Sequence, residues 1–386
     1  MLPHLVGALI VLAVLGALSS IAYYCLCLWG AQAFLRERRQ LPQQVDPSAP
    51  PVSILKPLKG TDPEMYESFR SHCLQDYPAY EIIFGVSDGD DPAVALVEKL
   101  KAEFPRHSIQ MVVCTERLGT NIKVSNLAQM LAYARNEFLV INDSDIRVAP
   151  NYLKTVVSPL IAGAGMVTCL YRGIAAPTLG SRLESVGIST DFIAGVLAAK
   201  KLEGIHFGLG STLAFQRRDL DAIGGFEVLV DFLADDYELG KRIAKAGRTV
   251  QLSAGVVETF LPPYTFGDFV RHQLRWARST RDSRRWGYVG LALTFGIPWA
   301  LAALLLSRSA WALLLLAITV CMRLVVAFVV GSQVVGDRQL RRTIWLVPLR
   351  DLVALFVWIV SFTGHTVAWR GDSFLLKDGK LARLPS

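Results

Sequence analysis

Residues 5–34, LVGALIVLAVLGALSSIAYYCLCLWGAQAF, contain no charged side chain. As a helix the run exceeds the roughly 20 residues that a bilayer span requires. A cleavable signal peptide would carry a basic segment ahead of a shorter apolar core. Neither feature is present, so residues 1–35 read as a retained transmembrane anchor, followed by a basic, proline-containing linker over 36–50.

Further apolar stretches lie at 288–306, 309–331 and 344–368. With 52% hydrophobic and 19% charged residues and a mean hydropathy of +0.37, the chain is too apolar for a purely soluble protein and too charged for an all-membrane bundle. Arg36, Arg38 and Arg39 follow the anchor, and Arg271, Arg275, Arg278, Arg281, Arg284 and Arg285 precede the second stretch. Arginine-rich flanks place the intervening domain, 51–262, on the cytoplasmic side. Four spans would leave a tail (371–386, with Arg370 before it) outside although it is basic. Either the last stretch, interrupted by Pro348, Arg350 and Asp351, is re-entrant, or residues 287–370 hold fewer spans. The net charge of +7 sits mostly beside these stretches, which suits anionic lipid headgroups better than nucleic acid. The expected setting is an integral, multi-pass protein of a bacterial inner membrane. Six scattered cysteines form no C-x-x-C array, so neither a zinc site nor a disulfide framework is indicated. His206 and His365 stand alone and receive no metal role.

Within the central domain, strands are expected near 50–58, 80–92, 109–115 and 137–145. Helices are expected at 93–104, where Val94, Val97, Leu100 and Lys101 share a helical spacing, and at 123–134. Strands alternating with helices imply right-handed βαβ units and a mostly parallel α/β sheet. Ligands of such sheets bind at the carboxyl ends of the strands. The acids Asp88–Asp91 and Asp143–Asp145 fall there. No G-x-G-x-x-G follows the first strand and no P-loop motif occurs, which argues against a dinucleotide dehydrogenase and a P-loop NTPase.

Asp143 and Asp145, in INDSDIRV, have two readings: turn residues ending a strand, or oxygen ligands of Mg²⁺ or Mn²⁺ shared with a nucleotide diphosphate. Asp88 can hold a nucleotide by hydrogen bonds, whereas Asp90 and Asp91 suit a solvated turn equally well. Asp235 and Asp236 open a helix, where one can cap it and the other can act as a general base. Lys123 either reaches a phosphate or faces solvent. The stretch 207–215, FGLGSTLAF, either shapes an acceptor pocket or makes a tight turn. Arg275 and Trp276 suit both an interfacial belt and a ligand site. The segment 263–286 is amphipathic and can lie along a membrane surface.

The ordered set VSILKPLKGTDPEM, LQDYPAYEIIFGVSDGDDPA, NDSDIRV, ADDYELG and RHQLRW resembles the membrane glycosyltransferases of the ceramide glucosyltransferase type, with a GT-A fold. That family runs through a first Asp, an Asp or D-x-D, a third Asp, and (Q/R)-x-x-R-W. The resemblance implies nucleotide contact for Asp88, a metal site at Asp143 and Asp145, a catalytic base at Asp236, and diphosphate and acceptor contacts for Arg275 and Trp276. His272 occupies the Q/R position, flanked by Arg271 and Gln273, so the group serving the leaving diphosphate is open. Asp235 stands where relatives can carry Glu. The complete D-x-D, with VTCLYRG and LRWARSTR, leans toward the bacterial, hopanoid-associated branch.

The implied activity is inverting transfer of a hexose, glucose or N-acetylglucosamine, from a UDP-sugar to the hydroxyl of a membrane lipid such as ceramide or a hopanoid. A processive polysaccharide synthase shares the acids and the R-W motif, but three or four spans are few for a translocation channel. A non-catalytic scaffold would be expected to have lost an acid, and none is missing.

Overall fold

A computed structural model describes residues 2–40, 49–369 and 372–383. Most of the 36–50 linker, Arg370 and the last residues of the tail lie outside the described residues. Two compact units emerge, neither continuous in sequence. A helical unit comprises Met1–Arg39, Ala175–Gly204 and Pro263–Asp378, and a sheet unit comprises Gln40–Ile174, Ile205–Pro262 and Gly379–Ser386. Residues 175–204, inside the stretch read as the soluble domain, thus belong with the apolar helices.

The strands of the sheet unit are β1 (Val52–Pro57), β2 (Tyr80–Val86), β3 (Ser108–Val113), β4 (Phe138–Ile141), β5 (Ile146–Arg147), β6 (Met166–Ile174), β7 (Leu213–Gln216) and β8 (Val250–Phe260). Their order is β3-β2-β1-β4-β7-β6-β8-β5. The first four run parallel, as do β6 and β8. The sheet is mostly parallel, but β7 is antiparallel to β4 and β6, and β5 to β8. Every residue of β1 is buried, as expected of a parallel strand covered on both faces. The helix Ala93–Glu103 turns Ala93, Val97 and Leu100 inward. The helix Met65–Cys73 is not apparent in the sequence pattern, because its buried face alternates Met65 and Phe69 with the polar Ser68 and His72.

After β1 the chain places β2 and β3 on one side, then crosses back to set β4 on the other. This reversal is a topological switch point, where open α/β sheets form a crevice at their carboxyl edge. The loops after β1, β2 and β4 all open there. Asp91 joins two of them: its carboxylate accepts from Gly60 N at 2.9 Å and from Ala93 N at 2.9 Å.

In the helical unit, Leu2–Gln40 is one helix, longer than the expected anchor, with Arg36, Arg38 and Arg39 in its last turns. This helix, Ala310–Val334 and Leu340–Ser361 are each long and apolar enough to cross a membrane. Arg285–Thr294 and Gly296–Ser307 form a pair bent by 51°, either a fourth, broken span or a re-entrant loop. The apolar stretch expected over 344–368 ends as helix at Ser361, and Thr366–Trp369 pairs instead as a strand with Asp372–Lys377. The β-branched and aromatic residues Thr366, Val367 and Trp369 favour that change. Arg323, on the helix Ala310–Phe328, forms a buried two-bond pair with Asp351 (2.8 and 2.9 Å) and donates to Thr190 O at 3.1 Å.

Candidate active site

Every residue of the Asn142–Asp145 loop, directly after β4, is tied down. Asn142 Nδ2 donates to Ser211 O at 2.7 Å and Tyr152 Oη at 2.9 Å. Lys56, fully buried near the end of β1, donates to Asp143 O at 2.9 Å. Ser144 Oγ donates to Asp62 Oδ2 at 2.5 Å, and the Thr259 hydroxyl donates to Asp145 Oδ2. Burial pulls the Lys56 ammonium down to about 7 against the opposing pull of Asp145 and Asp143. Burial, then the charge of Asp143, raises the Asp145 carboxyl to about 6, and the Thr259 bond opposes them. A loop fixed through both backbone and side chains presents its carboxylates in a set geometry, which a cation or diphosphate site requires.

Opposite this loop, the helix Asp235–Lys245 begins directly at Asp235. Neither aspartate caps it: the N-cap position is Ala234, without a side-chain cap bond. The capping role considered from sequence is therefore not filled. Asp236 Oδ1 accepts from Tyr237 N at 2.8 Å. Gly210 lies beneath, and a Cβ there would stand 3.1 Å from Asp236 Oδ2 and 3.4 Å from Asp143 Oδ2. The two carboxylates converge over a residue without a side chain. The 207–215 stretch is thus a floor for this pair as well as a turn into β7.

Lys123 joins the cluster, with Nζ 2.7 Å from Asp143 Oδ1 and 3.5 Å from Asp235 Oδ2. Asn121 sets its position by capping the helix Ile122–Met130 at Val124 N (3.2 Å) and donating to Phe232 O (2.7 Å). Burial alone would lower the Lys123 ammonium, but Asp143 and Asp235 more than reverse it and hold it well above the usual lysine range. Lys123 faces carboxylates rather than solvent. Burial, then Asp235, raises Asp236 to about 6, with Lys123 opposing. Burial also raises Asp235, against Lys123.

Asp88 is exposed on the loop after β2, on the same sheet edge, and its Oδ1 accepts from Asp90 N at 3.0 Å. The remaining residues singled out from sequence lie in the helical unit, on the helix Phe266–Ser283, which opens with a Thr265–Asp268 capping box. There Trp276 stands 5.0 Å from the His272 ring, Gln273 Nε2 donates to Glu184 at 2.8 Å, and Arg275 is half-buried.

Asp143 keeps one oxygen on Lys123, and Asp145 one on Thr259, leaving oxygens for a hard cation. Mg²⁺ and Mn²⁺ take one or two carboxylates, with phosphate and water filling the remaining positions. No group of three or more His, Cys, Asp or Glu at metal-holding geometry occurs among the described residues. Asp143 and Asp145 alone are a partial donor set, which a cation would complete with phosphate and water oxygens.

The sequence profile of glycosyl transferase family 21 matches residues 12–382. The chain belongs to that family. Similar proteins include ceramide glucosyltransferase 1 of Caenorhabditis elegans, 25% identical over 210 residues (54% of this chain, 45% of the relative). The ceramide glucosyltransferase of Candida albicans is 30% identical over 150 residues (34% of this chain, 28% of the relative). The matched region spans less than half of either relative. Among solved structures, a mannosyltransferase from Pyrobaculum calidifontis, in complex with GDP-Man and Mn²⁺, superposes with a TM-score of 0.53 at 20% identity, covering 90% of this chain and 99% of that one. This likeness supports the GT-A-type fold of the family 21 chain.

Three groups carry positional meaning that the sequence pattern does not disclose: Lys56, Thr259 and Glu184. Gly210 falls in the 207–215 stretch singled out from sequence, and Lys56 left a trace as the one charge in β1.

Proposed function

We propose that this family 21 protein is an inverting membrane glycosyltransferase that moves glucose or N-acetylglucosamine from a UDP-sugar to the hydroxyl of a lipid, of the ceramide or hopanoid type. The observation that carries this reading is the convergence of Asp236 and Asp143 over Gly210. A base and a diphosphate-side carboxylate thereby face one small space. Asp236, its carboxyl raised by burial, takes the proton of the acceptor hydroxyl as that oxygen attacks the anomeric carbon. Asp143 and Asp145 would hold Mg²⁺ or Mn²⁺, which when bound neutralises charge on the departing diphosphate. Lys123 holds Asp143 in place and offers a cation to the phosphates. Asp88 hydrogen-bonds the nucleotide, and His272, Gln273, Arg275 and Trp276 serve the leaving group and the acceptor. The catalytic face is cytoplasmic, and the apolar helices make the protein multi-pass.

The test is transfer from UDP-glucose or UDP-N-acetylglucosamine to a short-chain ceramide or a hopanoid alcohol, with products read by lipid mass spectrometry. Asp236→Asn should lower the rate by about 10²–10⁴-fold and leave UDP binding nearly intact. Full activity in that variant would refute the base assignment. Activity of the wild-type protein undiminished by a chelator would remove the metal.

A further inference from the structure

Four side chains meet within the helical unit. Glu184, on the helix Leu179–Gly187, is 1% exposed, and Arg350, on Val347–Ser361, is 6% exposed. They carry opposite charges but do not pair directly. Gln273 lies between them, donating to Glu184 Oε2 at 2.8 Å and accepting from Arg350 Nη2 at 2.6 Å. His272 Nδ1 stands 3.3 Å from Glu184 Oε1 without hydrogen-bond geometry. Glu184 Oε1, His272 Nδ1, and Arg350 Nε and Nη1 are buried atoms with no hydrogen-bond partner among the described residues. Buried polar atoms are ordinarily satisfied, and leaving one unmet costs free energy. Gly187 lets the guanidinium lie against its helix, since a Cβ there would stand 2.4 Å from Arg350 Nε.

The unmet atoms are of both kinds. Glu184 offers an acceptor, and Arg350 offers donors. A hydroxyl or an amide satisfies both at once. A phosphate only accepts, and it would meet the Glu184 carboxylate at low dielectric, where like charges repel strongly. Apolar surface is close by. Leu324 and Ile344 pack on the core formed by Leu183, Val186, Phe269 and Val347, and the same two residues line an apolar groove along the helix Ala310–Phe328. A polar cluster bordered in this way suits an amphiphile.

We propose that Glu184, His272, Gln273 and Arg350 form a subsite for the uncharged, hydroxyl- or amide-bearing headgroup of the lipid acceptor. This rests on the reading of the protein as a lipid glycosyltransferase.

The full-length protein in nanodiscs, with UDP-glucose and a short-chain ceramide, supplies the test. Glu184→Gln and Arg350→Gln should each raise the KM for ceramide at least about tenfold, the scale of one hydrogen bond to a charged group. The KM for UDP-glucose should move less than twofold. Donor and acceptor KM rising together, or a fall in kcat alone, would overturn the subsite. In a parallel arm the wild-type protein, without donor, is photolabelled by a ceramide carrying a diazirine beside its amide. Label is expected within 179–187, 266–283 or 347–361, and label confined elsewhere overturns the proposal even where a variant fails to fold. Excess phosphatidic acid should not suppress the label, and suppression would overturn the preference for an uncharged head. A wild-type protein that glycosylates no lipid yet takes the label at these helices would defeat the functional reading and leave the subsite standing.

Discussion

At the scale of single residues, the site depends on what is missing at position 210 as much as on its acids. A methyl group on Gly210 would sit 3.1 Å from one carboxylate oxygen and 3.4 Å from the other, and it meets nothing closer. Gly210→Ala should therefore leave thermal unfolding within a few degrees of wild type while cutting kcat/KM for the donor by about tenfold or more, as small misplacements do. The charges beside it set the pH dependence. Asp236 is raised to about 6, so, as the proposed base, it should be protonated and transfer lost as pH falls through that value. The Lys123 charge opposes the rise. In Lys123→Met the acidic limb of the pH–rate profile should move upward, and a limb that stays or moves down would separate Asp236 from the profile. Lys56→Met keeps the bulk of the stem and deletes the bond to Asp143 O. Stability should be kept, because burying the ammonium is itself unfavourable, while transfer should fall.

At the scale of elements, a close backbone contact positions the helix that carries Asp236. Gly208 N donates to Asp236 O at 3.2 Å, and a Cβ on Gly240 would lie 2.4 Å from Gly208 N. Gly240→Ala must push the helix Asp235–Lys245 off the 207–210 floor. The expected cost is about 1–3 kcal/mol of stability, read as a lower melting temperature, with activity falling alongside, unlike Gly210→Ala. The same scale shows what is legible in the sequence. The strands carrying Asp88 and Asp143 announce themselves as apolar runs ending in acids, and periodicity alone finds the helix over Ala93–Glu103. The strands β6, β7 and β8, which mix parallel and antiparallel pairing, resist such reading, because their partners are distant in sequence and pairing depends on tertiary contact rather than local pattern. Glu184 is illegible for a related reason. Nothing around it in SRLESVG indicates that a helix at 266–283 will bring His272 and Gln273 to its carboxylate.

For the molecule as a whole, buried charge within the apolar helices is a commitment to one arrangement. Removing one partner of a buried pair leaves an uncompensated charge and costs about 3–5 kcal/mol. Asp351→Asn should sharply reduce the yield of folded protein from membranes, and Arg323→Met combined with Asp351→Met should restore most of it, as judged by size-exclusion profiles in detergent. The anchor enters this arrangement as well. A Cβ on Gly30 would stand 2.5 Å from Leu197 O, so the first helix packs directly on the inserted segment. Glu37 pairs with Lys200, and Arg38 donates to Val334 O at 3.1 Å.

That insertion limits how the protein can be dissected. The chain leaves the sheet at Ile174 and returns at Ile205, between the stretch that supplies Asp143 and the one that supplies Asp236. Any continuous fragment holding both aspartates therefore carries residues 175–204 with it, together with the surface that the anchor covers. Clipping away the N-terminal helix should not release a water-soluble enzyme. A fragment of residues 49–262, which lacks both the anchor and the later apolar helices, is expected to aggregate or require detergent, and free solubility would show that the segment can do without its apolar neighbours.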